Sequence, residues 1–407
     1  MKILIVDNMF SELDNSLSSA GGFERRNLTD AYLLAEKGLD TVYFTHAGPK
    51  LLSKRKDFPF TPVRVHDFVA ESVDSPAKWR NAVKKNILNW ISKHQPDVVL
   101  FGSNTMMSLA KDIVETTPLV VHVASFLTGN GFIDSGRMQA FLGISKAGGY
   151  FVFNTSATHK FFMDQARDQA NKLIQHATFA DKVPTFKHFK KAKSFADFIN
   201  VHNMGVGLIG RRDGEEIRKD RGHVVIASRA DPAKLVHKFA DIKIPTKIFW
   251  KERAVSSKND YLEKSINKFQ INKNVELVMG APYSDIMRSF ASARCCFVTW
   301  PDETYGLTAF EAGSFGVPSV VFKRESLTDL NCTTEFLERV YPPSVVSYKS
   351  KTWRSDYLHA YEEYESSKKD RILLADKFSD IYSLKNYLSE KRKVLTLGIE
   401  KWKTTNG

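Results

Sequence analysis

The chain has 407 residues, 43% of them apolar and 29 of them Phe, and a formal net charge of +13. That content suits cores in two domains of about 200 residues each and excludes a disordered chain, and no apolar run approaches the roughly 18 residues of a membrane span. The three cysteines, Cys295, Cys296 and Cys332, lack metal-ligand spacing, so a packed-core role in a reducing cytoplasm is expected; the charge favours polyanionic partners such as nucleic acid, an anionic membrane surface or a phosphate-rich substrate.

Taken in order, strand and helix signals alternate. Lys2 to Val6 is an apolar run, too short for a signal peptide, and reads as a first strand. A polar loop runs from Asp7 to Ala20. Gly21-Gly22 then opens a segment, Phe23 to Lys37, with Leu28, Ala31, Tyr32, Leu34 and Ala35 at helical spacing. Gly38 ends it, and Thr41 to Thr45 reads as strand two. A helix is expected from Pro76 to His94, and strands at Val98 to Phe101, Leu119 to Val123 and Tyr150 to Asn154. Such alternation predicts parallel sheets covered on both faces. No G-x-G-x-x-G follows strand one, which argues against a dinucleotide oxidoreductase.

From His159 to Ser194 the chain turns basic. Lys187, Lys190, Lys191 and Lys193 are interleaved with Phe186, Phe189 and Phe195. That pattern suits phosphate contact with base stacking, or an anionic membrane surface; a solvated loop is the plainer alternative. Beyond it, Val224 to Ala227, Thr246 to Trp250 and Val275 to Met279 read as strands, Asp285 to Ala291 as a helix, and Tyr382 to Trp402 as a basic helix.

The most informative stretch is Trp300 to Phe322. An apolar run from Cys295 to Trp300 leads into a polar loop, Pro301 to Tyr305. A helix follows from about Leu307 to Phe315, Gly316 and Pro318 close it, and Ser319 to Phe322 reads as a buried strand. A loop at a strand's carboxyl end is where open α/β sheets place ligands. Glu303 sits in that loop and Glu311 in the apolar helix. If buried, Glu311 needs a partner; the alternative is a loop acid at 303 and a solvent-facing acid at 311.

The stretch resembles the E-x7-E signature of the family-four retaining glycosyltransferases, typically E-G-F-G-L-x-x-x-E-A-x-A-x-G-x-P-V-V. Here Thr304 stands for the usual Gly and Tyr305 for Phe; neither change removes a functional group, and by the resemblance a bulkier residue at 304 would alter the space beside the donor sugar. Four other places resemble the same family: Gly21-Gly22-x-Glu24-Arg25, Val120-Val121-His122-Val123, the segment around Asn203, and Arg229-x4-Lys234. Met204 interrupts the family's N-G-V at the third of these.

The resemblance implies an α/β fold with two Rossmann-like domains facing a cleft, the glycosyltransferase B fold. It places an acceptor-side domain at 1–204, a nucleotide-sugar-binding domain at 205–380, and a carboxyl-terminal helix, 381–407, crossing back to the first. It implies transfer from a UDP-linked donor with retention. His122, Glu303, Arg229 and Lys234 would be the catalytic residues. Gly21, Gly22, Arg229, Lys234, Glu303, Thr304, Tyr305, Gly306, Leu307, Thr308 and Glu311 would hold the donor, with Glu311 on the ribose, Glu303 on sugar hydroxyls, and Arg229 and Lys234 on the diphosphate. A fixed guanidinium and ammonium stabilise a departing diphosphate where water is excluded. No D-x-D occurs, so metal independence is expected, with the nucleotide sugar a substrate and no cofactor.

The favoured acceptor is a hydroxymethylated base in duplex DNA, as in bacteriophage enzymes of this fold, with Lys187, Lys190, Lys191 and Lys193 on the DNA. The alternatives are a lipid-linked or envelope saccharide acceptor, or a non-catalytic binding protein.

Overall fold

The computed structural model describes residues 1–6, 22–45, 58–64, 76–102, 107–123, 135–153, 159, 201–203, 216–229, 232–251, 260–301, 306–323 and 332–407. The chain divides into two compact units, Met1–Gly207 with Tyr387–Gly407, and Leu208–Asn386. Among the described residues no helix is long and apolar enough to cross a membrane.

The first unit contains β1 (Lys2–Val6), α1 (Gly22–Glu36), β2 (Asp40–Thr45), β3 (Thr61–Arg64), α2 (Pro76–His94), β4 (Val98–Phe101), α3 (Met107–Val114), β5 (Leu119–Val123), α4 (Ser135–Lys146), β6 (Tyr150–Phe153) and β7 (Val201–Asn203). The seven strands form one sheet in the order β3-β2-β1-β4-β5-β6-β7, every pair parallel. β4 and β6 are continuous apolar runs, and β1 and β5 are apolar apart from Lys2 and His122, because both faces are covered. One face packs on α2, α3 and α4 through Val83, Ile87, Ile113 and Phe141. The other packs on α1 through Leu28, Ala31 and Leu34.

The second unit contains β8 (Val224–Arg229), two 3-10 turns (Pro232–Lys234 and Val236–Phe239), β9 (Thr246–Lys251), α5 (Asp260–Ile271), β10 (Val275–Met279), α6 (Tyr283–Phe290), β11 (Cys295–Val298), α7 (Leu307–Gly313), β12 (Ser319–Lys323), α8 (Cys332–Leu337), β13 (Ser344–Ser347), α9 (Trp353–Glu363) and α10 (Lys368–Ile381). Six parallel strands run β10-β9-β8-β11-β12-β13. The order reverses beside the first strand of the unit, as in doubly wound nucleotide-binding sheets. The connection after β8 packs on one face through Val236 and Phe239. The connection after β11 packs on the other through Ala312 and Phe315.

α11 (Leu384–Asn406) ends the chain, and most of it belongs to the first unit. Tyr387, Leu388, Val394 and Leu395 join the α1 face of the first sheet. A Cβ at Gly398 would lie 2.5 Å from Val120 Cγ2, so glycine lets this helix lie directly on β5. One ion pair is sealed beneath it. Lys391 Nζ lies 2.7 Å from Asp30 Oδ2 of α1, both side chains 1% exposed or less. The Tyr387 hydroxyl donates to the other Asp30 oxygen.

The elements that the sequence reading names have the expected type and differ at their ends, whereas β3, β7 and β13 and the helices α3, α4, α5 and α8 are additional to it. α7 stops at Gly313, not Phe315, because residues 314–316 turn toward the left-handed Gly316 at φ 66°. α6 starts two residues earlier than expected, directly after Pro282. Cys295 and Cys296 are buried in β11, where desolvation holds both thiols above their usual range, as the core-packing reading expects. The side chain of Cys332 lies outside the described residues.

Breaking a buried pair strands a charge, whereas removing both partners does not. Lys391→Met should therefore lower the unfolding free energy by about 3–5 kcal/mol, and the double variant Asp30→Asn/Lys391→Met should recover at least half of that loss in urea denaturation.

Candidate functional site

The carboxyl ends of β8 and β11 lie side by side where the second sheet changes winding direction. Open α/β sheets bind ligands at such a point because the two following connections part and leave a crevice. β8 ends at Arg229, and the 3-10 turn after it presents Lys234. β11 is followed by Trp300 and the buried Pro301, and α7 begins at Leu307. The sequence motifs R-x4-K and E-x7-E thus emerge from adjacent strands.

Gly306 precedes α7 with φ 72° and ψ 52°, a left-handed conformation that only glycine adopts without strain. The space is closed too. A Cβ here would lie 2.4 Å from Thr333 Oγ1, and Thr333 is fully buried on α8. The Thr308 hydroxyl donates to the Ala227 carbonyl of β8 at 3.4 Å. The helix is tied in this way to the strand that carries Arg229.

Glu311 is 4% exposed. Its apolar neighbours fix the helix around it. Phe310 meets Phe336, Phe378 and Tyr382 edge-on, with ring centroids 5.0–5.5 Å apart. The solvent-facing alternative for Glu311 does not hold. Its carboxylate is satisfied from α6, where the Tyr283 hydroxyl donates to Oε1 at 2.9 Å. Cys296 lies near enough for the Glu311 charge to add to the burial that keeps its thiol protonated.

α10 seats the same helix from behind. Arg371 is 1% exposed, and its guanidinium donates to the carbonyls of Arg218, Phe290 and Phe315 at 2.6, 2.8 and 3.3 Å. Phe290 and Phe315 lie at the carboxyl ends of α6 and α7, where carbonyls lack helical partners and a cation is favoured. A Cβ at Gly316 would lie 1.8 Å from the Arg371 carbonyl oxygen, so the turn closing α7 has room only for glycine.

Lys234 meets β11's end directly: its Nζ lies 3.3 Å from the centroid of the Trp300 ring. The side chain of Arg229 lies outside the described residues, as do Glu303, Thr304 and Tyr305. Of the expected second-unit residues the structure therefore brings together Lys234, Gly306, Leu307, Thr308 and Glu311, with the backbone of Arg229.

In the first unit, Gly22 begins α1, and Gly21 lies outside the described residues. His122 is 2% exposed in β5, level with Val152 of β6. Strand alternation puts it on the face of Val120, the face covered by α1 and α11. Neither ring nitrogen has a hydrogen-bond partner among the described residues, and the same is true of the buried Asn27 amide of α1. A Cβ at Gly102, just past β4, would lie 2.5 Å from Asn27 Nδ2. Lys187, Lys190, Lys191 and Lys193 lie outside the described residues.

Tyr283, Thr333, Arg371 and Asn27 escape the sequence reading. Each acts through a contact distant in the chain, and only Tyr283, at a Pro-led helix start, carries a local signal.

Residues 222–349 match the family model described as Glycosyl transferases group 1. No curated protein matches the chain. Among solved structures, HepE of Anabaena in complex with UDP-glucose is 14% identical, with a TM-score of 0.65 over 97% of this chain and 99% of that one. The chain has the glycosyltransferase B fold. A sucrose-phosphate synthase of Thermosynechococcus elongatus has the same fold at 11% identity, with a TM-score of 0.67 over 96% of this chain and 97% of that one. WaaG, a glycosyltransferase involved in lipopolysaccharide biosynthesis, is 12% identical with a TM-score of 0.56 over the full length of both chains. Within this B fold the matched region begins just before β8 and ends beyond β13, so it takes in all six strands of the second sheet.

A hydrogen bond to a buried charged group contributes about 1.5–3 kcal/mol, and leaving the group short of a donor costs at least as much. Tyr283→Phe should lower the unfolding free energy by about 2 kcal/mol in urea denaturation. An unchanged midpoint would mean that Glu311 does not depend on this donor.

Proposed function

We propose that the chain is a retaining glycosyltransferase that takes a UDP-linked sugar as donor. The observation that carries the reading is a buried carboxylate, Glu311, on the helix after β11, and a cation, Lys234, on the turn after the neighbouring strand β8. The family match over this region supports it, and so does the UDP-glucose in the complex of the similarly folded HepE.

Each residue has a chemical task. Glu311 has two carboxylate oxygens, and Tyr283 donates to one of them. The other accepts from a ribose hydroxyl. As the glycosidic bond breaks, the leaving diphosphate gathers negative charge; the Lys234 ammonium and the Arg229 guanidinium stabilise it. Those two cations supply the counter-charge, so the reading takes no metal. Glu303 accepts from sugar hydroxyls. The backbone of Gly306 to Thr308 faces the sugar and phosphate. In the first unit, His122 orients a sugar hydroxyl, a task for which neutral imidazole both donates and accepts. The acceptor hydroxyl attacks from the leaving-group face, and its proton passes to the departing phosphate. No side chain is assigned as nucleophile.

For the acceptor, the net charge of +13 and the lysines at 187, 190, 191 and 193 favour DNA carrying a hydroxymethylated base. The base would leave the stack to reach the donor. A saccharide acceptor is the second reading, favoured by the lipopolysaccharide role stated for WaaG. Incubation with nucleotide sugars and hydroxymethylated DNA, followed by digestion and mass measurement of the nucleosides, separates the two. A hexose mass gain supports DNA. Donor consumption with no gain on any DNA removes it.

Glu311→Ala and Arg229→Ala should each lower turnover at least about 100-fold while the far-ultraviolet dichroism is unchanged, from lost transition-state contacts. Near-normal turnover in either variant contradicts the site assignment.

A further inference from the structure

Two buried polar side chains of the first unit have no hydrogen-bond partner among the described residues. They are the Asn27 amide of α1, 1% exposed, and the His122 imidazole of β5, 2% exposed. Such groups are rare in native proteins, because burial takes away their hydrogen bonds to water. Strand register makes the two neighbours. Phe101 of β4 lies level with Val121 of β5, so the next residue, Gly102, comes level with His122. The Gly102 N–H donates to the Val6 carbonyl at 2.7 Å, which carries the sheet up to this position. Alternation turns Gly102 and His122 toward the α1 face, the face of Leu100 and Val120. Gly102 has no side chain, and the Asn27 amide fills the place of one: a Cβ there would lie 2.5 Å from Nδ2, 2.7 Å from Oδ1 and 2.9 Å from Cγ. The amide and the imidazole therefore stand over adjacent strands, which lie about 4.8 Å apart, and they do not bond each other.

Their place in the sheet points to a ligand. The strand order reverses between β1 and β4, and the chain leaves β1 for α1 on one face and β4 for α3 on the other. Open α/β sheets bind ligands at the carboxyl ends of such a pair. We propose that Asn27 joins His122 in a subsite for one hydroxyl of the transferred sugar, with Asn27 a specificity-determining residue. The inference rests on the reading of His122 as a sugar ligand. The chemistry of the pair fits a hydroxyl, which has one donor hydrogen and two acceptor lone pairs. In one arrangement the hydroxyl accepts from Asn27 Nδ2 and donates to an imidazole nitrogen. In the other it accepts from the imidazole N–H and donates to Asn27 Oδ1. Either tautomer of His122 is served. A carboxamide carries no charge to balance a phosphate, so a neutral hydroxyl is the better match for so buried a place. A site built to hydrogen-bond a hydroxyl discriminates against the analogue that lacks it.

Calorimetric titration of UDP, UDP-glucose, UDP-galactose and UDP-N-acetylglucosamine into wild type identifies the sugar donor that binds most tightly, and monodeoxy analogues of that donor complete the set. Asn27→Leu keeps the branched shape and removes the hydrogen-bonding atoms. It should bind the donor about 5- to 20-fold more weakly, with UDP within about twofold of wild type. One monodeoxy analogue should bind wild type and Asn27→Leu within about twofold of each other, because the hydroxyl that Asn27 holds is already missing. Gly102→Ala keeps the amide but puts a methyl group in its place, and should show the same loss on the same hydroxyl. The urea midpoint of ligand-free Asn27→Leu should hold or rise, since the amide has no bond there to lose; an amide with a structural role would lower it. Unchanged donor affinity in Asn27→Leu, beside a loss in His122→Phe, overturns the inference and leaves the reading of His122 standing. A loss shared by UDP, or by every deoxy analogue, overturns it as well. Unchanged donor affinity in both variants overturns the reading of His122, and a wild type that binds none of the four ligands overturns the nucleotide-sugar reading; the inference falls with either.

Discussion

The site depends on a parting of connections. β8 and β11 are hydrogen-bonded neighbours, yet the chain leaves one toward the Val236–Phe239 face and the other toward the Ala312–Phe315 face. Parallel strands require crossovers, and crossovers of one hand from a reversed strand order must go to opposite faces. The two connections therefore part at the carboxyl ends of these strands. Polar and charged side chains gather there because the rest of the sheet is buried on both faces. Everything assigned to donor binding in the second unit hangs from this point: Lys234 from one strand, and Gly306, Thr308 and Glu311 from the other.

Glu311 shows how the packing is adjusted to hold a charge. Its helix is apolar, and the rings around Phe310 and the close approach of Gly313 to Phe378, 2.4 Å from a would-be Cβ, fix its rotation. Once that rotation is fixed the carboxylate is buried, and Tyr283 supplies a donor from another helix. Arg371 closes the far ends of both helices with one guanidinium. A buried carboxylate that takes a hydrogen bond from a tyrosine on another helix is held in place by protein contacts, and a carboxylate can accept several hydrogen bonds at once.

Much of this was legible in the sequence because the governing patterns are local. The fully buried strands announce themselves as β-branched runs, such as Val98 to Phe101 and Leu119 to Val123. Gly38 and Gly316, both at positive φ, mark helix ends in a backbone conformation that other residues adopt with strain, and at Gly316 a Cβ would also meet the Arg371 backbone. The E-x7-E and R-x4-K motifs carry the family resemblance, and that resemblance implies one donor site for their residues; that β8 and β11 are neighbours is seen in the structure. The remainder depends on contacts across long separations. Nothing near Tyr283 says that its hydroxyl will meet Glu311, 28 positions on. Nothing near Asp30 says that Lys391 will pair with it, although the basic helix at the end of the chain was visible. The burial of Glu311 was one of two open readings, and only packing decides between them.

The central claim is that Glu311 is held for a ribose by protein contacts already in place. A structure of the protein with bound UDP tests it most directly. The account predicts a ribose hydroxyl within hydrogen-bond distance of Glu311 Oε2, with the Tyr283 hydroxyl still on Oε1 and the diphosphate beside Lys234. Nucleotide bound elsewhere, or a Glu311 carboxylate that makes no contact with it, would contradict the account.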